Sequence, residues 1–253
     1  MRKITSISDK RKKMIQATVE KLKEIKPGAS INKTTYYRGG SYSRKVLVES
    51  DKGLFHIRIH PRFKKESLIR FEYEVLEHLS KCGIIASRIL TDENGVYLFE
   101  YDNYHYTIYS HVVGDVLSYN SFSKDQLRKA FSETARLHAA LTTFGIAELK
   151  PGRSIWTQTL LQIDNDYITT LLRENYNQYP QEYLEFVVYY WDTFSESIIS
   201  AQKEAMENKG FLIHGDLGPT NMIFNDGGFG FIDFDDLEIA PIEWDIVGAL
   251  AHW

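Results

Sequence analysis

The hydrophobic pattern of this 253-residue chain changes near Gly114, and that change constrains the fold more than any other feature. Before this point, alternating apolar and polar residues predict a sheet interrupted by one helix, Phe63–Lys81. After it, apolar residues recur at helical spacing over Lys124–Leu141 and Gln181–Asn208. We therefore expect an α+β chain with an antiparallel five-stranded N-terminal lobe over residues 1–112 and a mainly helical C-terminal lobe over residues 113–253. The predicted strands are Ile31–Arg38, Lys45–Glu49, Leu54–Ile59, Val96–Tyr101 and Tyr106–Val113.

Composition and charge exclude several classes of protein. No run of about 18 apolar residues is present, so no membrane-spanning helix is predicted, and the N-terminal residues lack the apolar core of a secretory signal. The formal net charge of −4 argues against nucleic acid as the main partner, because phosphate binding favours a basic surface. Cys82 is the only cysteine, which rules out an intrachain disulfide and favours a reducing, cytoplasmic setting.

A polar turn follows the apolar residues Phe211–Ile213 and leads into a predicted hairpin, Met222–Ile232. Asp216 and Asn221 lie on this turn, and Asp233 follows the hairpin. Hard divalent cations such as Mg²⁺ take oxygen ligands, with phosphate and water completing the octahedron, so Asn221 and Asp233 are candidate metal ligands. Asp216 faces the same point from the loop and could accept a proton from an attacking hydroxyl.

The register of this hairpin decides whether the two candidate ligands meet. Pairing Asn225 with Phe229 across the turn places Asn221 roughly opposite Asp233. The alternative is that these residues only cap and brace a surface loop, as Asp and Asn commonly do. Their combination on one hairpin favours the metal site over that alternative.

A second candidate pair lies in the N-terminal half. Glu72 falls on the apolar face of its predicted helix, and a buried carboxylate without a partner is unfavourable. Arg58 lies in the middle of the strand that precedes this helix. A strand cation paired with a helix glutamate positions the ATP phosphates in kinases. Glu74, the competing partner, points about 200° away on the helix. The alternative is that Arg58 and Glu72 are ordinary surface residues.

Two segments of the C-terminal half match a known signature. Residues 214–221, with the pattern His-x-Asp-x-x-x-x-Asn, and residues 232–236, Ile-Asp-Phe-Asp-Asp, resemble the aminoglycoside phosphotransferase and choline kinase superfamily. Its members are small-molecule kinases with a two-lobed, protein-kinase-like fold. The resemblance implies that Asp216 is the catalytic base and that Asn221 and Asp233 hold Mg²⁺.

The same resemblance assigns roles to other residues along the chain. His214 would brace the catalytic loop, and Asp245 would anchor that loop from the following helix. His138, in a family-like Ala-Arg-Leu-His segment, is interpreted as structural. The resemblance also implies a nucleotide site, in which a loop covers the phosphates and the last strand of the first lobe meets the adenine. The residues expected there, together with Arg58 and Glu72, are Gly39, Gly40, Ser41, Ser43, Ser110, His111 and Val112.

The acceptor site is less well defined than the nucleotide site. Asp235 and Asp236 either bind a cationic acceptor or form salt bridges. Relatives usually continue with several helices beyond the position of Trp253 that help to shape this site, so either this is a short member or the sequence lacks a C-terminal portion.

The leading hypothesis is an ATP- and Mg²⁺-dependent phosphotransferase that moves the γ-phosphoryl group to a hydroxyl of a small molecule. Candidate acceptors are an aminoglycoside, an amino alcohol, a sugar or a homoserine-like compound. Three alternatives remain: a protein Ser/Thr kinase-like member, a nucleotide-binding pseudokinase without turnover, and a metal-binding protein without nucleotide. The sequence leaves open the choice between ATP and GTP and the oligomeric state.

Overall fold

The computed structural model describes residues 2–3, 9–38, 44–116, 123–145, 170, 181–207, 211–225 and 228–251. Its helices of at least two turns are α1 (Asp9–Ile25), α2 (Glu66–Lys81), α3 (Lys124–Thr142), α4 (Gln181–Glu207) and α5 (Ile242–Ala251). Its strands are β1 (Arg2–Lys3), β2 (Ile31–Arg38), β3 (Arg44–Ser50), β4 (Gly53–Ile59), β5 (Phe99–Tyr101), β6 (Tyr104–Ser110), β7 (Phe211–Ile213), β8 (Met222–Asn225), β9 (Gly228–Phe231) and β10 (Glu238–Ala240). Within the described residues, no helix is both long and apolar enough to span a bilayer.

The first six strands form one antiparallel sheet in the order β1-β2-β3-β4-β6-β5. Strands β2 to β6 correspond to the five predicted strands, and β1 adds a sixth at the edge. A two-residue strand carries no periodicity, so the sequence could not indicate it. The predicted tight turn between β5 and β6 is confirmed. Asp102 and Asn103 both have positive φ, 50° and 61°, as a two-residue type I′ hairpin requires.

The two faces of this sheet pack against different helices. Phe55, Ile57 and Ile59 pack with α1 residues such as Leu22 in one buried cluster. Side chains alternate along a strand, so Arg58, between two of these core residues, points to the opposite face. That opposite face carries α2, whose buried residues are Ile69, Phe71, Glu72, Val75, Leu76 and Leu79. The amphipathic face predicted for the helix is therefore confirmed, including the burial of Glu72.

The described C-terminal segments build two small antiparallel sheets. The hairpin β8–β9 was predicted, whereas the pairing of β7 with β10 was not, because three-residue strands are too short to show a pattern. A second core cluster joins α2 and α3 to these sheets. Its members include Leu76, Leu79, Leu137, Leu141, Leu212, Met222, Phe231 and Phe234.

The chain passes from the large sheet to the C-terminal segments over residues 112–115. Asp115 and Phe224 exchange backbone hydrogen bonds of 2.8 and 2.9 Å, so the crossing segment pairs with β8. Gly114 has φ of 139°, and a Cβ there would collide with the carbonyl of Phe224. Only glycine allows so close a crossing. We propose the boundary between residues 112 and 113 as the junction of the two lobes.

Candidate active site

A single buried carboxylate on α5 holds the polar turn that begins at His214. Asp245 Oδ2 accepts the backbone N–H of His214 at 2.9 Å, and Oδ1 accepts that of Gly215 at 2.9 Å. His138 Nε2 on α3 lies 2.9 Å from the same Oδ2. Burial alone would raise the pKa of Asp245, but these hydrogen bonds and the nearby His214 hold the pKa below its ordinary value. The carboxylate is therefore ionised, and His138 donates to it.

His214 is fully buried and braces the turn from inside. Its Nε2 donates to the carbonyl of Ile232 at 3.0 Å, and its Nδ1 accepts the N–H of Asp216 at 3.3 Å. The ring packs on Phe234 with centroids 4.5 Å apart. His214 therefore connects the end of the hairpin to the loop and has no exposed surface to offer a substrate.

Asp216 and Asn221 are in direct contact. Asn221 Nδ2 donates to the backbone oxygen of Asp216 at 2.8 Å and to its carboxylate Oδ2 at 2.9 Å. Pro219–Asn221 forms a short 3₁₀ turn that brings the two side chains together. Asn221 is buried whereas Asp216 is exposed, so the buried amide orients an accessible carboxylate.

The hairpin register differs from the predicted one by one residue. Asn225 pairs with Gly228, because only residues 226 and 227 separate the strand ends, and two-residue connections suit hairpin twist. The prediction that Asn221 lies opposite Asp233 is therefore wrong. The N–H of Ile232 donates to the Asn221 carbonyl at 3.0 Å, so Ile232 occupies that position. Asp233 then leaves the strand in a left-handed conformation with φ of 68°.

Arg58 joins the large sheet to the segment that follows the hairpin. The predicted pair is present, with Arg58 Nη1 3.3 Å from Glu72 Oε1, and Nη2 donates to Asp233 Oδ1. The Tyr109 hydroxyl donates to Glu72 Oε1 at 2.8 Å, and the Arg58 guanidinium lies 5.0 Å from the Tyr109 ring centroid. Arg58 is thus oriented by an acid on α2, an acid after β9 and an aromatic ring.

Two lysines that the sequence reasoning missed complete this cluster. Lys45 Nζ on β3 lies 2.7 Å from Asp233 Oδ2. Lys64, just before α2, forms an ion pair with Asp235 and lies 3.4 Å from Glu72 Oε2. A β3–β4 hairpin pairs Lys45 directly with Arg58, so the predicted turn between these strands was a signal for Lys45. Lys64 lies in an irregular segment, where the sequence contains no such signal.

The segment predicted to meet the adenine ends β6. Ser110 exchanges hydrogen bonds with the backbone of Arg88, through its N–H at 2.8 Å and its hydroxyl at 2.9 Å. His111 Nδ1 lies 2.9 Å from His56 Nε2, and the rings are stacked with centroids 5.2 Å apart. Burial, reinforced by the nearby His111, lowers the pKa of His56 to about 4. Val112 is buried. Burial also lowers the pKa of His111, so both imidazoles are neutral near pH 7.

The loop predicted to cover the phosphates comprises Gly39, Gly40, Ser41 and Ser43, which lie outside the described residues. Its role stays a prediction.

Comparison with known proteins decides the family. The model of the family described as "Phosphotransferase enzyme family" matches residues 33–253, most of the chain. The chain belongs to this phosphotransferase family. None of the curated proteins matches it in a sequence comparison.

Solved structures similar to this phosphotransferase include three ligand complexes. Amicoumacin kinase hAmiN with AMP-PNP, Ca²⁺ and Ami is 14% identical, with a TM-score of 0.69 over 97% of this chain and 72% of that one. APH(2″)-IIia with GDP and kanamycin is 18% identical, with a TM-score of 0.64 over 94% and 78%. Spectinomycin phosphotransferase APH(9)-Ia with ADP and spectinomycin is 15% identical, with a TM-score of 0.59 over 91% and 71%. At such identities the similarity shows the fold, and the predicted two-lobed, kinase-like α+β architecture is confirmed.

The acidic residues of this phosphotransferase differ in their electrostatic surroundings. Burial would raise the pKa of Asp233, but Arg58 and Lys45 outweigh it and hold the pKa below its ordinary value. Asp235 behaves likewise: burial opposes ionisation, but Arg58 and Lys64 depress its pKa. Asp235 therefore forms salt bridges, one of the two roles predicted for it.

Asp236 has the opposite behaviour. Burial, reinforced by the carboxylates of Asp235 and Asp216, raises the pKa of Asp236 to about 7. In the part of the chain that the structure describes, no ion pair within 4.0 Å compensates this carboxylate. Asp236 is therefore partly protonated near pH 7, and the nearby Asp216 is exposed on the loop.

The donor set of the phosphotransferase fits a hard cation. Asn221 turns its amide nitrogen to Asp216, which leaves its amide oxygen on the other side, and Asp233 provides two carboxylate oxygens. Among the described residues, no group of three His, Cys, Asp or Glu side chains could hold a metal by itself. Magnesium sites that use one or two protein oxygens with substrate phosphates do not require such a group.

Proposed function

We propose that this phosphotransferase moves the γ-phosphoryl group of ATP to a hydroxyl group of a small molecule and requires Mg²⁺. The observation that carries the proposal is the position of Asp233. It lies between the catalytic-type loop and the sheet cation Arg58, which Glu72 holds from α2. Kinases align nucleotide phosphates with such an arrangement, in which a strand cation contacts both a helix acid and a metal-binding carboxylate.

Each residue has a distinct part in the proposal. Asp216 accepts the proton of the acceptor hydroxyl as its oxygen attacks the γ-phosphorus, and Asn221 orients Asp216 through its amide hydrogen bond. Asn221 and Asp233 would hold Mg²⁺, which offsets charge on the phosphate oxygens when it is bound. Arg58 binds phosphate oxygens in a bidentate manner and is aligned by Glu72. The adenine is proposed to contact Ser110, His111 and Val112.

His214 and Asp245 are positioning residues in this proposal. Both are buried and act through the backbone of the loop that presents Asp216. The resemblance implies that His214 braces the catalytic loop, and its burial supports that role.

The acceptor is proposed to be cationic. Asp216 is exposed on the loop and Asp236 lies near it, so an ammonium group near the reacting hydroxyl would favour the ionised form of both carboxyl groups. Three similar structures are complexes with kanamycin, spectinomycin or Ami, which supports aminoglycosides and amino alcohols as first candidates. We further propose a cytoplasmic location, where ATP is available and the single Cys82 stays reduced.

Isothermal titration calorimetry with ATP, with and without Mg²⁺, tests the nucleotide site. We expect Mg²⁺-dependent binding by the wild type and at least about tenfold weaker MgATP binding by Asp233→Asn, as expected for loss of a metal-binding charge. The control is Asp125→Asn, whose side chain is 89% exposed on α3 and should leave binding unchanged. Absence of MgATP binding by the wild type would refute the proposal.

An ADP-release assay against aminoglycosides, amino alcohols, sugars and homoserine tests the reaction itself. Asp216→Asn should retain MgATP binding and reduce kcat by about 10²–10⁴-fold, the usual contribution of a general base. Unchanged turnover in this variant would show that Asp216 is not the base.

A further inference from the structure

Both carboxylate oxygens of Asp233 are occupied by cations from the sheet. Oδ1 accepts from Arg58 and Oδ2 from Lys45, whose Nζ lies 2.7 Å away. Lys45 and Arg58 are direct partners in the β3–β4 register, so their side chains leave the sheet next to each other. Two cations of the protein, Arg58 and Lys45, therefore pair with the carboxylate that is proposed to bind the metal.

The two cations differ in their freedom to move. Arg58 is 5% exposed and also contacts Glu72, Asp235 and the Tyr109 ring. These contacts hold Arg58 in place even when Asp233 binds a metal instead. Lys45 has no other hydrogen bond or ion pair within the described residues. Its ammonium is carried on a flexible four-carbon stem that can turn to another anion nearby.

Binding of a dication at Asp233 changes the balance of charge. A divalent metal within a few ångström of Lys45 and Arg58 is repelled by both, so the bare metal should bind weakly. A nucleotide triphosphate brings several negative charges to the same point and removes that repulsion. Once the metal occupies Asp233, the Lys45 ammonium loses its partner and the phosphate oxygens become the nearest anions.

We propose that Lys45 is a second phosphate-binding cation and that its ion pair with Asp233 makes metal binding depend on nucleotide. Lys45 pairs with Asp233 in the absence of metal and transfers to the phosphates when the metal–nucleotide complex binds. This inference rests on the proposed function, since it requires a metal–nucleotide complex to bind at Asp233.

The test is to measure three affinities for the wild type and Lys45→Met, which keeps the length of the side chain and removes its charge. Mn²⁺ alone is followed by the electron paramagnetic resonance signal of the free ion, and ATP alone and MgATP by calorimetry. We expect Lys45→Met to bind Mn²⁺ alone about tenfold more tightly, because one repelling charge is gone. The same variant should bind ATP about tenfold more weakly, because one attracting charge is gone.

Two further variants isolate the charge at this position. Lys45→Arg keeps the charge and should resemble the wild type in both measurements. Lys33→Met removes a strand lysine that pairs with Glu49 at 3.0 Å, is 59% exposed and lies away from Asp233. It should change neither affinity. Circular dichroism confirms that each variant is folded, and Lys45→Gln, which also removes the charge, takes the place of Lys45→Met if that variant is not folded.

Each outcome separates this inference from the proposed function. If the wild type binds MgATP and Lys45→Met binds Mn²⁺ and ATP as the wild type does, the role of Lys45 is refuted and the kinase site stands. If Lys45→Met weakens ATP and Mn²⁺ binding together, Lys45 supports the site without competing with the metal, and the exchange is refuted. If the wild type binds no MgATP, both proposals are refuted.

Discussion

Replacing Asp245 by alanine should strongly destabilise the protein. The carboxylate joins three elements: α5, which carries it, α3 through His138, and the loop through His214 and Gly215. All three hydrogen bonds are 2.9 Å long, and the Asp245 side chain is 1% exposed. The substitution leaves three donors without an acceptor, two of them buried and one partly buried.

The size of the effect follows from those donors. An unsatisfied buried donor is unfavourable by about 1–3 kcal/mol, which would sum to as much as about 9 kcal/mol for three. Three bonds to one carboxylate are not additive, and water can enter the space left by the removed group. We therefore expect a loss of about 3–5 kcal/mol in the free energy of unfolding, the range found when one partner of a buried charged pair is removed.

Urea unfolding at pH 7, followed by far-ultraviolet circular dichroism, measures this loss. The matched control is Glu243→Ala, an exposed acid in the first turn of the same helix, which should lower the free energy of unfolding by about 1 kcal/mol or less. A loss for Asp245→Ala no larger than that of Glu243→Ala would refute the reasoning, because the three bonds would then contribute nothing net.

Two other predictions concern the loop and the acidic segment behind it. Gly215→Ala should lower the free energy of unfolding in urea by about 2 kcal/mol more than Gly83→Ala. Both glycines have positive φ, but only at Gly215 would a Cβ collide with the Asp236 carbonyl. Equal losses in the two variants would contradict this close approach. Because folding raises the pKa of Asp236, its protonation stabilises the folded state. This contribution to the free energy of unfolding is fully present below the unfolded pKa near 4 and is lost as the pH rises through about 7. In metal-free buffer, Asp236→Asn should therefore gain on the order of 1 kcal/mol over the wild type between pH 5 and pH 8. The exposed control Asp125→Asn should show no such gain, and a gain of equal size there would contradict the assignment.

The residues of the Arg58–Glu72 pair were accessible to prediction because local rules determine them. Strand alternation places Arg58 on the face opposite Ile57 and Ile59, and helix periodicity places Glu72 among buried residues. A buried acid and a cation on facing surfaces must then pair.

The hairpin shows where such rules fail. The sequence indicates a turn near residues 226–228 but does not distinguish a two-residue from a three-residue connection. Shortening the connection by one residue shifts every cross-strand partner by one position, so Asn221 lies opposite Ile232. Asn221 and Asp233 still fall in one region, because Asp233 directly follows Ile232, whose N–H donates to the Asn221 carbonyl.

By itself, the sequence determined the order of the longer helices and strands, their buried faces, and the residue types of the candidate site. Those features depend on neighbours within a few positions, where the periods of helix and strand apply. Only the tertiary structure decided which charges meet. Lys45 reaches Asp233 across 188 residues, and Lys64 reaches Asp235 across 171. Contacts at that separation depend on how the sheet packs against the C-terminal segments, and no local pattern in the sequence encodes that packing.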